Sequence, residues 1–277
     1  MTDTLETAAT EDTADQPVIE VEDLSHHFGA TQVLFDIDLT VRQGEIMVIM
    51  GGSGSGKSTL LNNLLGLIRP TSGAIRLLGE DLTKLSGTKL TQLRQRMGVA
   101  FQGGALFSSM SVAENIKLPL REHSRLDERT MDIMARMKME VVDLAGRGDL
   151  MPSELSGGMV KRAALARAIV MDPQVLFCDE PSAGLDPVVA KQIDRLILDL
   201  REAFDMTVVV VTHELDSAFT IADRICVLDR GRIRAVDTVE TIRNSDDQRI
   251  QDLLNRRSEA EEVDPDAYLA RLTGDTL

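Results

Sequence analysis

Gly51-Gly52-Ser53-Gly54-Ser55-Gly56-Lys57-Ser58-Thr59 puts four glycines, four hydroxyl side chains and one amine into nine consecutive residues. Glycine tolerates positive φ, so backbone N–H groups here can converge on one anion. A helix starting near Lys57 would aim its positive end at the same point. That is phosphate-binding chemistry: in the pattern G-x-x-x-x-G-K-[ST] the lysine reaches nucleotide β- and γ-phosphates and Ser58 can ligate Mg²⁺. The pattern has force only between a strand and a helix. Ile46-Met47-Val48-Ile49-Met50 precedes it as a buried strand and Leu60-Leu61-Asn62-Asn63-Leu64-Leu65 follows with helical periodicity.

Further candidate groups follow apolar runs in the same way. Val175-Leu176-Phe177-Cys178-Asp179-Glu180 places two carboxylates at the carboxyl end of a strand, the edge of an open α/β sheet where ligands bind. Asp179 is placed to hold the Mg²⁺ hydration shell, and Glu180 to orient and deprotonate an attacking water. His213 emerges after Val208 to Val211, where it can bond a γ-phosphate, and Gln102 follows Met97-Gly98-Val99-Ala100-Phe101 as a second Mg²⁺ candidate. Leu155-Ser156-Gly157-Gly158-Met159 opens another helix, with Ser156 as N-cap and two glycines baring N–H groups at its positive end. Such an end suits an anion, or is an ordinary cap. Phe28 reads as core or as a platform for a nucleotide base. His26 and His27 lack metal-ligand company and read as a surface turn.

These groups require an α/β frame, and the rest of the chain supplies one. Val18-Ile19-Glu20-Val21 opens it as a short strand. Leu34 to Val41 alternates, with Phe35, Ile37, Leu39 and Val41 on one face of a half-exposed antiparallel strand. Gly73 to Gly79 reads as a strand bounded by glycines and Met97 to Phe101 as another; the strands of Val175, Val208 to Val211 and Ile225 to Leu228, with helical segments between, point to a mostly parallel sheet covered on both faces. Residues 103–168 read as an inserted helical lobe, with Met134, Met137, Val141 and Leu144 as its inward stripe.

The chain has 277 residues, 43% of them hydrophobic, enough for one large domain with an inserted lobe. No apolar run nears the roughly 18 residues that span a bilayer, and a signal core is lacking, so a cytosolic protein is expected. Cys178 and Cys226 sit inside apolar runs and read as reduced core residues. A net charge of −15 argues against a grip on duplex DNA, and no nucleic-acid partner is expected. Much of that charge is in the tails: residues 1–16 hold five acids and no base, 245–277 nine acids and four bases. The first reads as a disordered acidic leader. The second carries apolar stripes at Ile250, Leu253, Leu254 and at Tyr268, Leu269, Leu272, and is either a frayed tail or a segment that docks on a partner.

Taken in order, Gly51 to Ser58, Gln102, Leu155 to Gly158, Asp179-Glu180, Ser182-Ala183-Gly184-Leu185-Asp186 and His213 resemble the ATP-binding subunit of an ABC transporter, over roughly residues 17–240. The resemblance implies a P-loop NTPase core over 17–244 with mostly parallel sheet, an antiparallel β subdomain and an inserted helical subdomain. It implies ATP and Mg²⁺ as ligands, and a head-to-tail homodimer that sandwiches two ATP molecules between Lys57 of one subunit and the Ser156 helix end of the other. Phe28 then corresponds to the adenine-stacking aromatic, and Asp186 to a link across the dimer seam. Met159 stands where this family usually has Gln, which removes one side-chain hydrogen bond to nucleotide.

Leu155 to Ile169, Phe101 to Phe107 and Pro119 to His123 look like the Mla and Mce branch. That branch implies phospholipid or sterol traffic in the bacterial envelope and an ATPase on the cytoplasmic face of the inner membrane. Its implied partners are an MlaE-like permease docking near Phe107 to Asn115, an MCE-type substrate-binding protein and often an MlaB-like STAS-domain regulator. An ABC ATPase for another solute is the nearest alternative. Translation and DNA-repair members carry duplicated ATPase units or long coiled coils, and this chain has neither.

Overall fold

The computed structural model describes residues 16–255. Two sheets organise it. β1 (Pro17–Phe28) and β2 (Thr31–Arg42) form a hairpin that, with β4 (Ser72–Leu77) and β5 (Glu80–Asp81), makes an antiparallel sheet in the order β2-β1-β4-β5. The second sheet contains β3 (Ile46–Met50), β6 (Met97–Ala100), β7 (Val175–Asp179), β8 (Thr207–Thr212), β9 (Arg224–Asp229) and β10 (Arg232–Thr238), in the order β10-β9-β3-β8-β7-β6. All its pairings are parallel except β10 with β9.

Every residue of β3 and β8 is buried, as the unbroken apolar runs require for strands covered on both faces. Side-chain alternation divides them between two cores. Met47, Ile49, Val209 and Val211 pack with the antiparallel sheet and with Leu60, Leu61 and Leu64 of α1 (Lys57–Leu64). Ile46, Val48, Val208 and Val210 pack on the opposite face. That second core is continuous with the helical lobe: α3 (Val112–His123), α4 (Glu128–Val141) and α5 (Gly157–Ala168), which contribute Ile116, Met131, Met139, Ala163 and Leu165. The remaining helices are α2 (Gly87–Gln95), α6 (Pro187–Phe204), α7 (Leu215–Ile221), α8 (Val239–Arg243) and α9 (Gln248–Leu254). No helix among the described residues is long and apolar enough to cross a membrane.

Three local readings of the sequence change. The inward face of α4 is Met131, Ala135 and Met139, while Met137 is 62% exposed and Val141 40%. Both stripes obey helical spacing, and packing against α3 and α5 chooses between them. His26 and His27 lie within β1 and not in a turn, because the hairpin reverses two residues later at Gly29-Ala30. His26 is buried, with Nδ1 3.3 Å from Asn63 Nδ2 on α1. In β2 the alternation slips at Asp36, whose φ is 48°, so Leu34 and not Phe35 joins the core. Phe35 instead stacks under the Arg232 guanidinium, 4.8 Å from the ring centre.

Ile250 of α9 is 2% exposed and packs with Leu253 and Leu254 on the same core as the helical lobe, so the described part of 245–277 is continuous with the body of the fold. The expected acidic leader before Gln16 and the Tyr268 stripe lie outside the described residues.

Candidate functional site

Strand register brings the candidate groups together. Met50 pairs with Thr212, Val211 with Asp179, and Cys178 with Ala100. The carboxyl ends of β3, β8, β7 and β6 are therefore level, and Gly51, His213, Glu180 and Gln102 leave the sheet at one edge.

The loop from Gly51 is shaped around an anion. A Cβ on Gly51 would lie 2.1 Å from the Leu228 carbonyl oxygen, so only glycine fits this close approach. Gly56, at φ 103°, turns the chain into α1. Ser55 Oγ is buried without a hydrogen-bond partner. Lys57 Nζ donates to the carbonyls of Gly51 and Gly52, both at 2.8 Å, so the amine is folded over the loop. Burial pushes its pKa down, and the charges of Glu180 and Asp179 hold it up. An orphaned hydroxyl, a helix N-terminus and an amine on one loop fit a polyphosphate.

The donors available to a metal are hard oxygens: the carboxylate of Asp179, the hydroxyl of Ser58 and the amide of Gln102. No group of three or more His, Cys, Asp or Glu side chains is clustered for a metal among the described residues. That set fits Mg²⁺, which takes one or two protein carboxylates and completes its shell with phosphate oxygens and water. Burial, and then the neighbouring charge of Glu180, raise the pKa of Asp179, while Lys161 and Lys57 oppose them. A cation at Asp179 is thereby favoured twice, by attraction and by relief of carboxylate repulsion.

Glu180 is held on every side. It is 8% exposed, and its φ of 48° is left-handed. Its N–H donates to the Val211 carbonyl at 2.8 Å. Oε2 accepts from Thr212 Oγ1 at 3.0 Å and Oε1 lies 2.7 Å from His213 Nδ1. A carboxylate fixed between a hydroxyl and an imidazole at a half-dry rim can accept a proton from a water placed against it. His213 stays 55% exposed and can reach a phosphate as well as Glu180.

The remaining candidates occupy other faces. Ser156 caps α5, its Oγ accepting from the Met159 N–H at 3.3 Å, and the cap is exposed. A Cβ on Gly158 would lie 2.7 Å from Val189 Cγ1, and one on Gly157 3.2 Å from Leu185 Cδ2, so this helix end rests on the first turn of α6 and the residues just before it. Leu155 and Met159 pack against the core beneath it. Asp186 caps α6, accepting from the N–H groups of Val188 and Val189 at 3.1 Å each. Phe28 is 54% exposed at the end of β1, beside the His26 ring. Ser53, Gly52, Gly54, Ser58 and Thr59 follow or flank Gly51 on the loop and first helical turn. Cys178 and Cys226 are buried thiols with pKa values pushed up to about 12, inert in the core.

Two polar residues at this rim carry no role in the sequence reading. Thr212 falls just past the expected strand Val208 to Val211 and is in fact the last residue of β8, and its hydroxyl holds Glu180. Lys161 is buried on α5, and a lysine three and four positions from Ala164 and Leu165 on an apolar helix face is the signal that could have found it.

Comparisons with known proteins agree with this arrangement. The family described as ABC transporter matches residues 34–183. The probable ribonucleotide transport ATP-binding protein mkl of Mycobacterium tuberculosis is 41% identical over 239 residues, 86% of this chain and 67% of that protein. The intermembrane phospholipid transport system ATP-binding protein MlaF of Haemophilus influenzae is 41% identical over 244 residues, 88% of this chain and 92% of that protein. A dimeric ATP-binding cassette in a post-hydrolysis state bound to ADP and phosphate superposes with a TM-score of 0.74 at 30% identity, covering 80% of this chain and 98% of that one. A single match spanning the phosphate loop and the β7 carboxylates, on a cassette fold, admits one conclusion: this chain belongs to the ABC transporter family as an ATP-hydrolysing subunit.

Proposed function

We propose that this chain is the ATPase of a transporter that moves phospholipid or a related lipid across or between bacterial envelope membranes. The observation that carries the lipid reading is 41% identity over 92% of the MlaF length. The mkl relative, named for ribonucleotide transport, is matched over 67% of its length and leaves another solute as the rival.

In this reading Gly51 to Thr59 cradle the ATP phosphates and Lys57 neutralises the β- and γ-oxygens. Phe28 stacks on adenine. Ser58, Gln102 and Asp179 hold Mg²⁺, which when bound withdraws charge from the phosphate oxygens. Glu180 takes the proton of the attacking water, and His213 orients that water and the γ-phosphate. Leu155 to Met159 offer their helix end to the ATP of a second copy, and Asp186 lies at the seam between the two. The dimeric cassette of the same fold supports this pairing. The helix end is exposed and, by its capped and glycine-lined geometry, ready for an anion that its own chain does not supply.

Docking to an integral-membrane permease is supported by a cleft of about 530 Å³ lined by Phe101, Phe107, Leu118, Glu122 and His123. Phe107 is 52% exposed at its mouth. The loop carrying it is pinned by Asn115, fully buried, which bonds Phe107 N–H and the carbonyls of Phe107, Met110 and Ser111 at 2.7 to 3.1 Å. A rigid, exposed aromatic beside an apolar cleft suits an inserted helix of the permease. We place the assembly at the cytoplasmic face of the inner membrane, with an MCE-type binding protein and a STAS-domain regulator as further partners. The test is mass spectrometry of lipid in the complex purified from solubilised membranes, with ATPase activity measured on added phospholipid. Bound phospholipid and stimulated turnover are expected; a permease complex devoid of lipid, or stimulated by another solute alone, contradicts the lipid reading.

A further inference from the structure

Lys161 lies on α5, five residues after Ser156, and is 8% exposed. An amine so buried is costly unless hydrogen bonded. Its Nζ donates to two backbone carbonyls that belong to different parts of the fold: that of Gln102, and that of Glu180 at 2.8 Å. The segment after Gln102 is itself fastened to α5. Arg167 donates to the carbonyls of Gly104 and Ala105, both at 2.7 Å. Gly104 runs so close that a Cβ there would lie 2.7 Å from Val160 Cγ1. Helix α5 and residues 102–105 thus form one body. Glu180 directly follows β7 and is fastened to the sheet by its N–H on the Val211 carbonyl, and its left-handed φ persists only because its surroundings impose it. Lys161 spans the two.

We propose that Lys161 is a positioning residue that ties the orientation of the helical lobe to the backbone of Glu180. Movement of the Ser156 helix end then sets the direction of the catalytic carboxylate. The inference rests on the reading of Glu180 as general base. Ser156 and Lys161 ride on one rigid helix, about 7.5 Å apart along its axis, so an anion that shifts the helix end shifts the amine with it. A pull on the Glu180 carbonyl turns its peptide plane, and with it the carboxylate held by Thr212 and His213. Phosphate occupancy at an exposed helix end is thereby reported to the base of the same chain.

The experiment compares Lys161→Met, Lys161→Arg, Arg167→Met and Glu180→Gln in the full-length chain, by steady-state ATPase, direct ATP titration and thermal melting. Lys161→Met is expected to lower kcat about 10–100-fold, the scale of a misdirected catalytic group, with KM and ATP affinity unchanged. Lys161→Arg should recover most of kcat, since a guanidinium can also donate to two carbonyls. Arg167→Met loosens the same segment without touching Glu180, and should move the melting temperature and leave kcat in place. If Lys161→Met does not fold, Lys161→Gln is read by the same criteria. Unchanged kcat in Lys161→Met, or equal losses in Lys161→Met and Arg167→Met that follow the folded fraction, would overturn the coupling. Full turnover in Glu180→Gln would remove the base itself and the coupling with it. An inactive Glu180→Gln beside a fully active Lys161→Met sinks the coupling alone.

Discussion

Glu180→Gln is expected to bind ATP as tightly as the unsubstituted chain and to hydrolyse it about 10²–10⁴-fold more slowly, the usual contribution of a general base. The argument is steric as well as chemical. Glutamine matches glutamate in shape, so a side chain that is buried and gripped by Thr212 Oγ1 and His213 Nδ1 keeps its place while losing its basicity. An oxygen of the amide can still accept from Thr212. The phosphate loop keeps its shape, because Glu180 reaches it only through the attraction of its charge for Lys57, and Asp179 still supplies such an attraction in the variant. Closed dimer should therefore accumulate with ATP, visible by sedimentation. Turnover at the unsubstituted rate would take Glu180 out of the mechanism.

Lys57→Met is expected to fail one step earlier. Hydrogen bonds to charged groups contribute about 1.5–3 kcal/mol, so removing the amine should weaken ATP affinity roughly 10–100-fold. The fold should not suffer in proportion. Without nucleotide the amine reaches only the carbonyls of Gly51 and Gly52, and its burial already disfavours the charged form. The melting temperature without nucleotide should change little, while the upward shift on adding a fixed ATP concentration shrinks, as linkage requires for a ligand bound more weakly by the native state. A Lys57→Met protein that melts normally and is stabilised by ATP as much as the unsubstituted chain would show that the loop holds phosphate without this side chain.

The parts of the fold legible in the sequence are those where one pattern has one meaning. The strands Ile46–Met50 and Thr207–Thr212 are continuous apolar runs, and a run of five or six such residues beside a glycine turn has few other homes. The phosphate loop and the carboxylates after Val175–Asp179 were readable for the same reason, since motif and context agree. β10 was not read as a strand, because Arg232-Ile233-Arg234-Ala235 is an edge segment whose charged face looks outward and whose pairing with β9 is decided by the turn at Gly231. α2 was missed as well: with only Leu93 buried, it has almost no stripe to detect. The inward face of α4 had two equally periodic solutions, and only its neighbours select Met131 over Met137. The roles of Lys161 and Thr212 are hidden for a different reason, although a lysine on an apolar helix face marks Lys161 as buried. Their importance lies in carbonyls and carboxylates contributed from distant sequence, and no local pattern marks a residue for what it meets in three dimensions.

The account as a whole depends on one copy of this chain being incomplete, its ATP finished by the Ser156 helix end of another. Specific ATPase activity measured across serial dilution, for the unsubstituted chain and for Ser156→Arg, tests this most directly. Below the dimer dissociation constant, specific activity should fall roughly tenfold for each tenfold dilution. Ser156→Arg should bind ATP and remain inactive at every concentration. Specific activity that stays constant on dilution, and is indifferent to the substitution at Ser156, would contradict the account.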